Sequence, residues 1–247
     1  MQLDKWIHDH AAKRRAKSAL LWSIAITLLL YLVPGGQFVA YPLVLFSTLV
    51  HELGHGLAAL ACGGRFESLQ VFANGSGVAS HTGHLSPVES AIVAAGGLVG
   101  PAIAAALAFA LGRNARASRI ALGVAAGILA LVAVLFVRNA FGLVFTGLVA
   151  LGLGVLAIRQ AREVCQLALV FLAVQLSLSV FSRSDYLFTA EAQTGAGVLP
   201  SDTAQIATAL GGPYWAWGLA CGAFSIAVLA AGVGWFWRVF VLAGPRK

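Results

Sequence analysis

Residues 41–62 read YPLVLFSTLVHELGHGLAALAC, and the fold turns on how that run is understood. Its length and apolarity suit a membrane-crossing helix, yet His51, Glu52 and His55 stand inside it within five positions. An ionised group at mid-bilayer costs roughly 2.5–3.5 kcal/mol on insertion scales. Three such groups on one apolar run therefore mark a functional site, provided the run is in a membrane at all.

Composition settles that condition. Of 247 residues, 60% are hydrophobic and only 10% charged, with a mean hydropathy of +0.88. Soluble domains carry about 25% charged residues, so the chain reads as an all-α polytopic membrane protein. Seven apolar segments fall at 18–33, 41–62, 88–111, 119–137, 140–158, 163–184 and 214–237, so about six to seven transmembrane helices are expected. Residues 1–247 are expected to form a single membrane domain, with a basic tail at 1–17 and a polar loop at 185–213. The tail precedes an apolar run without a good cleavage site, the pattern of an uncleaved signal-anchor helix. The sequence pI of about 9.8 would suggest nucleic acid for a soluble protein. Here Lys and Arg sit at segment ends, where they set orientation and meet anionic lipid headgroups. The bilayer is thus the expected partner, with no nucleic acid and a cell-membrane location. A cytoplasmic start followed by seven crossings divides Lys and Arg eight to eight between the two sides, which leaves orientation open. Cys62, Cys165 and Cys221 are odd in number and embedded in apolar runs, so no disulfide framework is expected.

Between the second and third segments, GGRFESLQVFANGSGVASHTGHLS (63–86) alternates around Ser68–Val71 and contains Asn74–Gly75. That dipeptide is a strong turn signal, so a small β-hairpin beside the membrane is expected. In the later polar loop, Asp202 followed by Gln205 reads as a capping box, and Gly211–Gly212–Pro213 as a helix stop. Gly96, Gly97, Gly100 and Pro101 suggest a helix that packs closely on a neighbour.

On a helix, His51 and His55 lie one turn apart and project from the same face. Both imidazoles can reach one ion, with Zn–N distances near 2.0–2.1 Å. Glu52 is then placed as the general base for a water that the metal acidifies, the HExxH arrangement. Gly54 and Gly56 are expected to leave room around the ion. Two rivals use the same residues differently: a transporter or proton-conducting protein with Glu52 and the histidines as carriers, or a silent binding protein whose metal is structural.

The run LVHELGHGLAALACGGRFESLQV (49–71), with AAGGLVGPAIAAAL (94–107), resembles the site-2 protease family of intramembrane zinc metalloproteases, specifically a compact bacterial branch. The resemblance is most specific over 43–112. It implies Zn²⁺ held by His51, His55 and an aspartate from a later helix, with Glu52 as catalytic base. It also implies cleavage of transmembrane or membrane-adjacent segments of other membrane proteins. Many family members carry that aspartate before a glycine, and this chain has no Asp-Gly pair. Asp185, closing the sixth segment in SVFSRSDYLF, is the first choice for the third ligand. Asp202, or a nitrogen from His81 or His84, stays open. Arg138–Asn139 interrupts the apolar run in LFVRNAFG (135–142). It reads either as an interfacial turn or, through Asn139, as a hydrogen-bonding contact to substrate or oxyanion.

Overall fold

A computed structural model of the protein describes residues 2–182 and 187–241. Its elements in chain order are α1 (Gln2–Leu32), α2 (Gly36–Ala61), β1 (Arg65–Val71), β2 (Gly77–Thr82), α3 (Pro87–Gly112), α4 (Ala115–Leu135), α5 (Ala140–Arg159), α6 (Arg162–Ser182), β3 (Glu191–Thr194), β4 (Gly197–Pro200), α7 (Asp202–Leu210) and α8 (Tyr214–Val241). Among the described residues, six helices (α2 to α6 and α8) are long and apolar enough to cross a membrane. The protein is a multi-pass integral membrane protein, and large apolar side chains such as Leu107, Val134, Leu148 and Ile158 face outward, as lipid contact requires. The first expected segment lies in α1, which joins α6 through a buried bond from Gln175 Nε2 to Thr27 Oγ1.

Local chemistry sets the helix limits. Ser86 and Glu89 cap α3 reciprocally, with Pro87 in its first turn, where the missing N–H costs nothing. Asn114 caps α4 by accepting from the Arg116 and Ala117 amides. Arg138 donates to the Val137 carbonyl just past the end of α4.

The bundle has two chemically different ends. At one, Gln166 Nε2 of α6 donates to the Gly112 carbonyl closing α3 (2.7 Å), and Arg119 of α4 donates to Ala157 and Ile158 closing α5. Arg15 of α1 pairs with Glu163 at the start of α6 (3.1 Å), and both Arg113 and Arg238 lie over the Trp235 ring. The other end holds the hairpins and α7.

The expected hairpin is present at the expected turn. β1 and β2 pair antiparallel, with an irregularity between Phe66 and Ser68. Gly75 takes φ 88°, and Asn74 Oδ1 accepts from the Ser76 amide and hydroxyl. The outer edge of β1 is also occupied. Leu69 donates to Phe136 and accepts from Arg138, forming a parallel bridge to Val137. A second hairpin, β3–β4, closes at Thr194 and Gly197. Its tip reaches the first one, with the Gly195 amide donating to Ser76 Oγ at 2.9 Å.

Candidate metal centre

The site begins at the crossing of α2 and α3. A Cβ on Gly54 would fall 2.2 Å from the Gly96 carbonyl oxygen, so the two helices touch backbone to backbone there. The small residues do different work from that expected of them. Gly54 admits α3 and Gly56 admits the Phe66 ring, whereas the room beside the ligands comes from Gly97 and Gly77. A Cβ on Gly97 would lie 2.1 Å from His55 Nε2, and one on Gly77 would lie 2.6 Å from Glu52 Cγ. Close packing by α3 also orients His55, whose Nδ1 sits 2.8 Å from the Val93 carbonyl oxygen. A carbonyl only accepts, so Nδ1 carries the proton and Nε2 of the neutral ring presents a lone pair inward.

The third donor arrives 147 positions later, from Asp202 at the start of α7. Ser201, not Asp202, caps this helix: its Oγ accepts from the Ala204 amide at 3.1 Å. That corrects the capping box expected from Asp202 and Gln205, and it leaves the Asp202 carboxylate available to the histidines. Asp202 Oδ2 lies 3.1 Å from His51 Nε2, and Oδ1 lies 3.3 Å from His55 Nε2. The two Nε2 atoms are 3.2 Å apart. As a carboxylate, Asp202 turns one oxygen to each imidazole and offers an anionic donor.

These atoms fit a tetrahedral cation. Zinc–nitrogen and zinc–oxygen distances of 2.0–2.2 Å imply edges of about 3.3–3.6 Å between neighbouring ligands of a tetrahedron. The three separations lie at the short end of that range or slightly under it. Lone pairs facing one another so closely repel unless a proton or a cation lies among them. Two imidazoles and a carboxylate are a usual donor set for zinc, and among the described residues this is the one group of three His, Cys, Asp or Glu side chains close enough to share an ion.

The profile of a family described as Peptidase M50B-like matches residues 19–232. The chain belongs to this family. It is a site-2 protease family of membrane metalloproteases. Among curated proteins and solved structures, nothing matches the chain.

In this M50B-like chain the sequence-expected residues separate into three groups. His51, Glu52 and His55 come together in one pocket with Asp202. Asp185, the first choice for third ligand, lies outside the described residues, and Asp202, one of the alternatives, stands with the two histidines in a group that could hold a metal ion. Asn139 is not among the residues lining the pocket. Its amide spans Val71 of β1 instead, donating from Nδ2 to the carbonyl at 2.7 Å and accepting the amide at Oδ1 at 3.3 Å. That is how a neighbouring strand would hold Val71, and it ties the hairpin to the start of α5. His81 lines the pocket from β2 without joining the ligand group, and burial pushes its imidazole below its ordinary value. The β3–β4 hairpin also borders the pocket, through Ala192, Thr194 and Leu199. Its sequence signal was a short EAQTGAGV stretch whose alternation spans too few residues to stand out.

Proposed function

We propose that the protein is an intramembrane zinc metalloendopeptidase that cuts transmembrane or membrane-adjacent segments of other membrane proteins. The observation that carries this reading is the convergence of His51, His55 and Asp202 at separations of 3.1–3.3 Å, with the Glu52 carboxylate lining the same pocket. When bound, zinc supplies Lewis acidity, lowering the pKa of water and polarising the scissile carbonyl. His51 and His55 hold the ion from one turn of α2, and Asp202 balances part of its charge. Glu52, buried against Gly77, takes a proton from the attacking water on its carboxylate. It then delivers that proton to the leaving amine.

Access follows from depth. Val93 and Gly97, which flank His55, lie six and ten residues into α3 after Pro87. At 1.5 Å per residue that is about 9–15 Å along the helix, within a hydrocarbon core of about 30 Å. A helical substrate must unwind to present an amide there, because its carbonyls and amides are otherwise engaged in the helix ladder.

β2 offers a place to hold the unwound strand. Leu69 sends its amide and carbonyl to Phe136 and Arg138, away from β2, so the Leu69–Ala79 pair is the non-hydrogen-bonded kind. Ala79 therefore turns its own amide and carbonyl outward, on the edge bordering the pocket. Strand addition at that edge supports an extended substrate.

Two measurements test the reading. Glu52→Gln should keep stoichiometric zinc in detergent-purified protein while peptide hydrolysis falls about 10²–10⁴-fold, and His55→Ala should lose both. An active Glu52→Gln protein removes the proposed base, and metal-free wild type together with pH-dependent ion flux favours the transport reading. Ala79→Pro removes an outward amide without costing β1 a partner, the position where an edge strand tolerates proline. It should retain zinc and lose cleavage; unchanged cleavage would exclude strand addition at Ala79.

A further inference from the structure

We propose that the ends of α3 and α8 form a binding site for the phosphate of an anionic phospholipid, held by Arg113 and Arg238 around the Trp235 ring. The site lies at the end of the bundle away from the metal centre, and it stands whether or not the protein is a protease.

Packing fixes the two helix ends against each other. Phe236 of α8 is fully buried and meets Phe109 of α3 edge to face, with ring centroids 5.8 Å apart. A Cβ on Gly112 would lie 3.9 Å from the same Phe236 ring, and Gln166 of α6 donates to the Gly112 carbonyl. Arg113 follows at once, and its guanidinium carbon lies 5.2 Å from the centroid of Trp235, the residue beside Phe236. Arg238, three residues further along α8, brings a second guanidinium to 5.3 Å from that centroid.

Two like charges thus converge on one ring. The face of an indole attracts each cation, but it offers no oxygen to their planar N–H forks. Arg113 Nε is closed to solvent and has no hydrogen-bond partner among the described residues. Nor does a carboxylate among them pair with either guanidinium: Glu163, which opens α6 at this end, is held by Arg15 at 3.1 Å. A shielded donor on a cation is costly without an acceptor, so the arrangement suits an anion with several oxygens.

The surroundings say which anion. Trp235 is half exposed, as an indole at headgroup level is. Leu107 and Leu111, on the turns of α3 before Arg113, are exposed apolar side chains, as is Val233 of α8. An anion seated at these helix ends therefore has room for hydrocarbon beneath its charge, which describes a phospholipid. One phosphate accepts from two guanidinium forks. A zwitterionic headgroup would set its own cation against the pair, so the anionic class fits.

Thermal unfolding of the full chain in a non-ionic detergent tests the site, with phosphatidylglycerol, phosphatidylcholine and inorganic phosphate as separate additions. Phosphatidylglycerol should raise the wild-type midpoint saturably, and the other two should leave it unchanged at the same concentration. Arg113→Gln and Arg238→Gln should each need at least about tenfold more phosphatidylglycerol for the same shift. Arg238 is exposed, so its variant carries the test alone if Arg113→Gln does not fold. An unchanged response in Arg238→Gln overturns the site. Arg116→Gln, at an exposed position of α4 at the same end, should respond like wild type. An equal loss there would mean diffuse charge attraction in place of a site. A full response to phosphatidylcholine would remove the preference for an anionic lipid, and a full response to inorganic phosphate would remove the lipid; either result sinks the proposal.

Discussion

The two halves of the metal centre are built to different standards. On one side, His51, Glu52 and His55 occupy a single helix turn clamped by α3, with Gly54 against Gly96 and Gly97 against the His55 ring. On the other, Asp202 opens a helix of nine residues, entered from a hairpin whose second strand is exposed throughout. That hairpin's tip is hydrogen-bonded to the rest of the site end through Gly195 and Ser76. The difference teaches that one site can join a backbone-to-backbone helix crossing to a side chain carried on a short capped helix. The close-packed crossing fixes Glu52 and the two imidazoles, whereas the Asp202 carboxylate is placed by the Ser201 cap of its short helix.

Variants on the two sides should expose this contrast. The largest effect is expected at Asp202→Asn, which removes the anionic donor while conserving shape. Zinc affinity measured by competition with a chelator should fall more than about a hundredfold, beyond the 10–100-fold usual for residues that merely support a ligand. Native-like affinity in that variant would remove Asp202 from the centre. Next comes Gly97→Ala on the stiff side, where the added methyl meets His55 Nε2. An overpacked contact of this kind costs about 1–3 kcal/mol, visible as a lower thermal midpoint in detergent together with reduced zinc content. A neutral Gly97→Ala would mean that the α2–α3 crossing can yield, and the contrast would weaken. The smallest effect belongs to Ser201→Ala, which removes the α7 cap at about 1 kcal/mol. Hydrogen exchange should quicken across α7 and leave residues 49–58 of α2 unchanged. Equal acceleration on both sides would show one cooperative unit in place of two.

How much of this was legible in the sequence depends on range. The hairpin 63–86 was readable because Asn74–Gly75 fixes a turn by local backbone preference, and alternation on either side names the strands. The second hairpin escaped because its strands have four residues each, too short for alternation to accumulate. Asp202 looked like a helix cap because it follows Ser201, and either residue can cap; only hydrogen-bond geometry assigns the role to Ser201. Asn139 looked like a polar contact for substrate because a polar residue at the end of an apolar run has no partner visible along the chain. Val71, 68 positions earlier, is the partner.

The sequence by itself determined the membrane class, the apolar helices, the hairpin at Asn74–Gly75 and the pairing of His51 with His55. Each follows from composition or from neighbours within about one helix turn or one tight turn, where covalent connection already dictates proximity. Tertiary structure alone decided that Asp202 stands beside His51 and His55, that Asn139 braces β1, and that the basic clusters share one end of the bundle. Those relations join residues far apart in the chain, and only packing of one helix against another determines which distant groups meet.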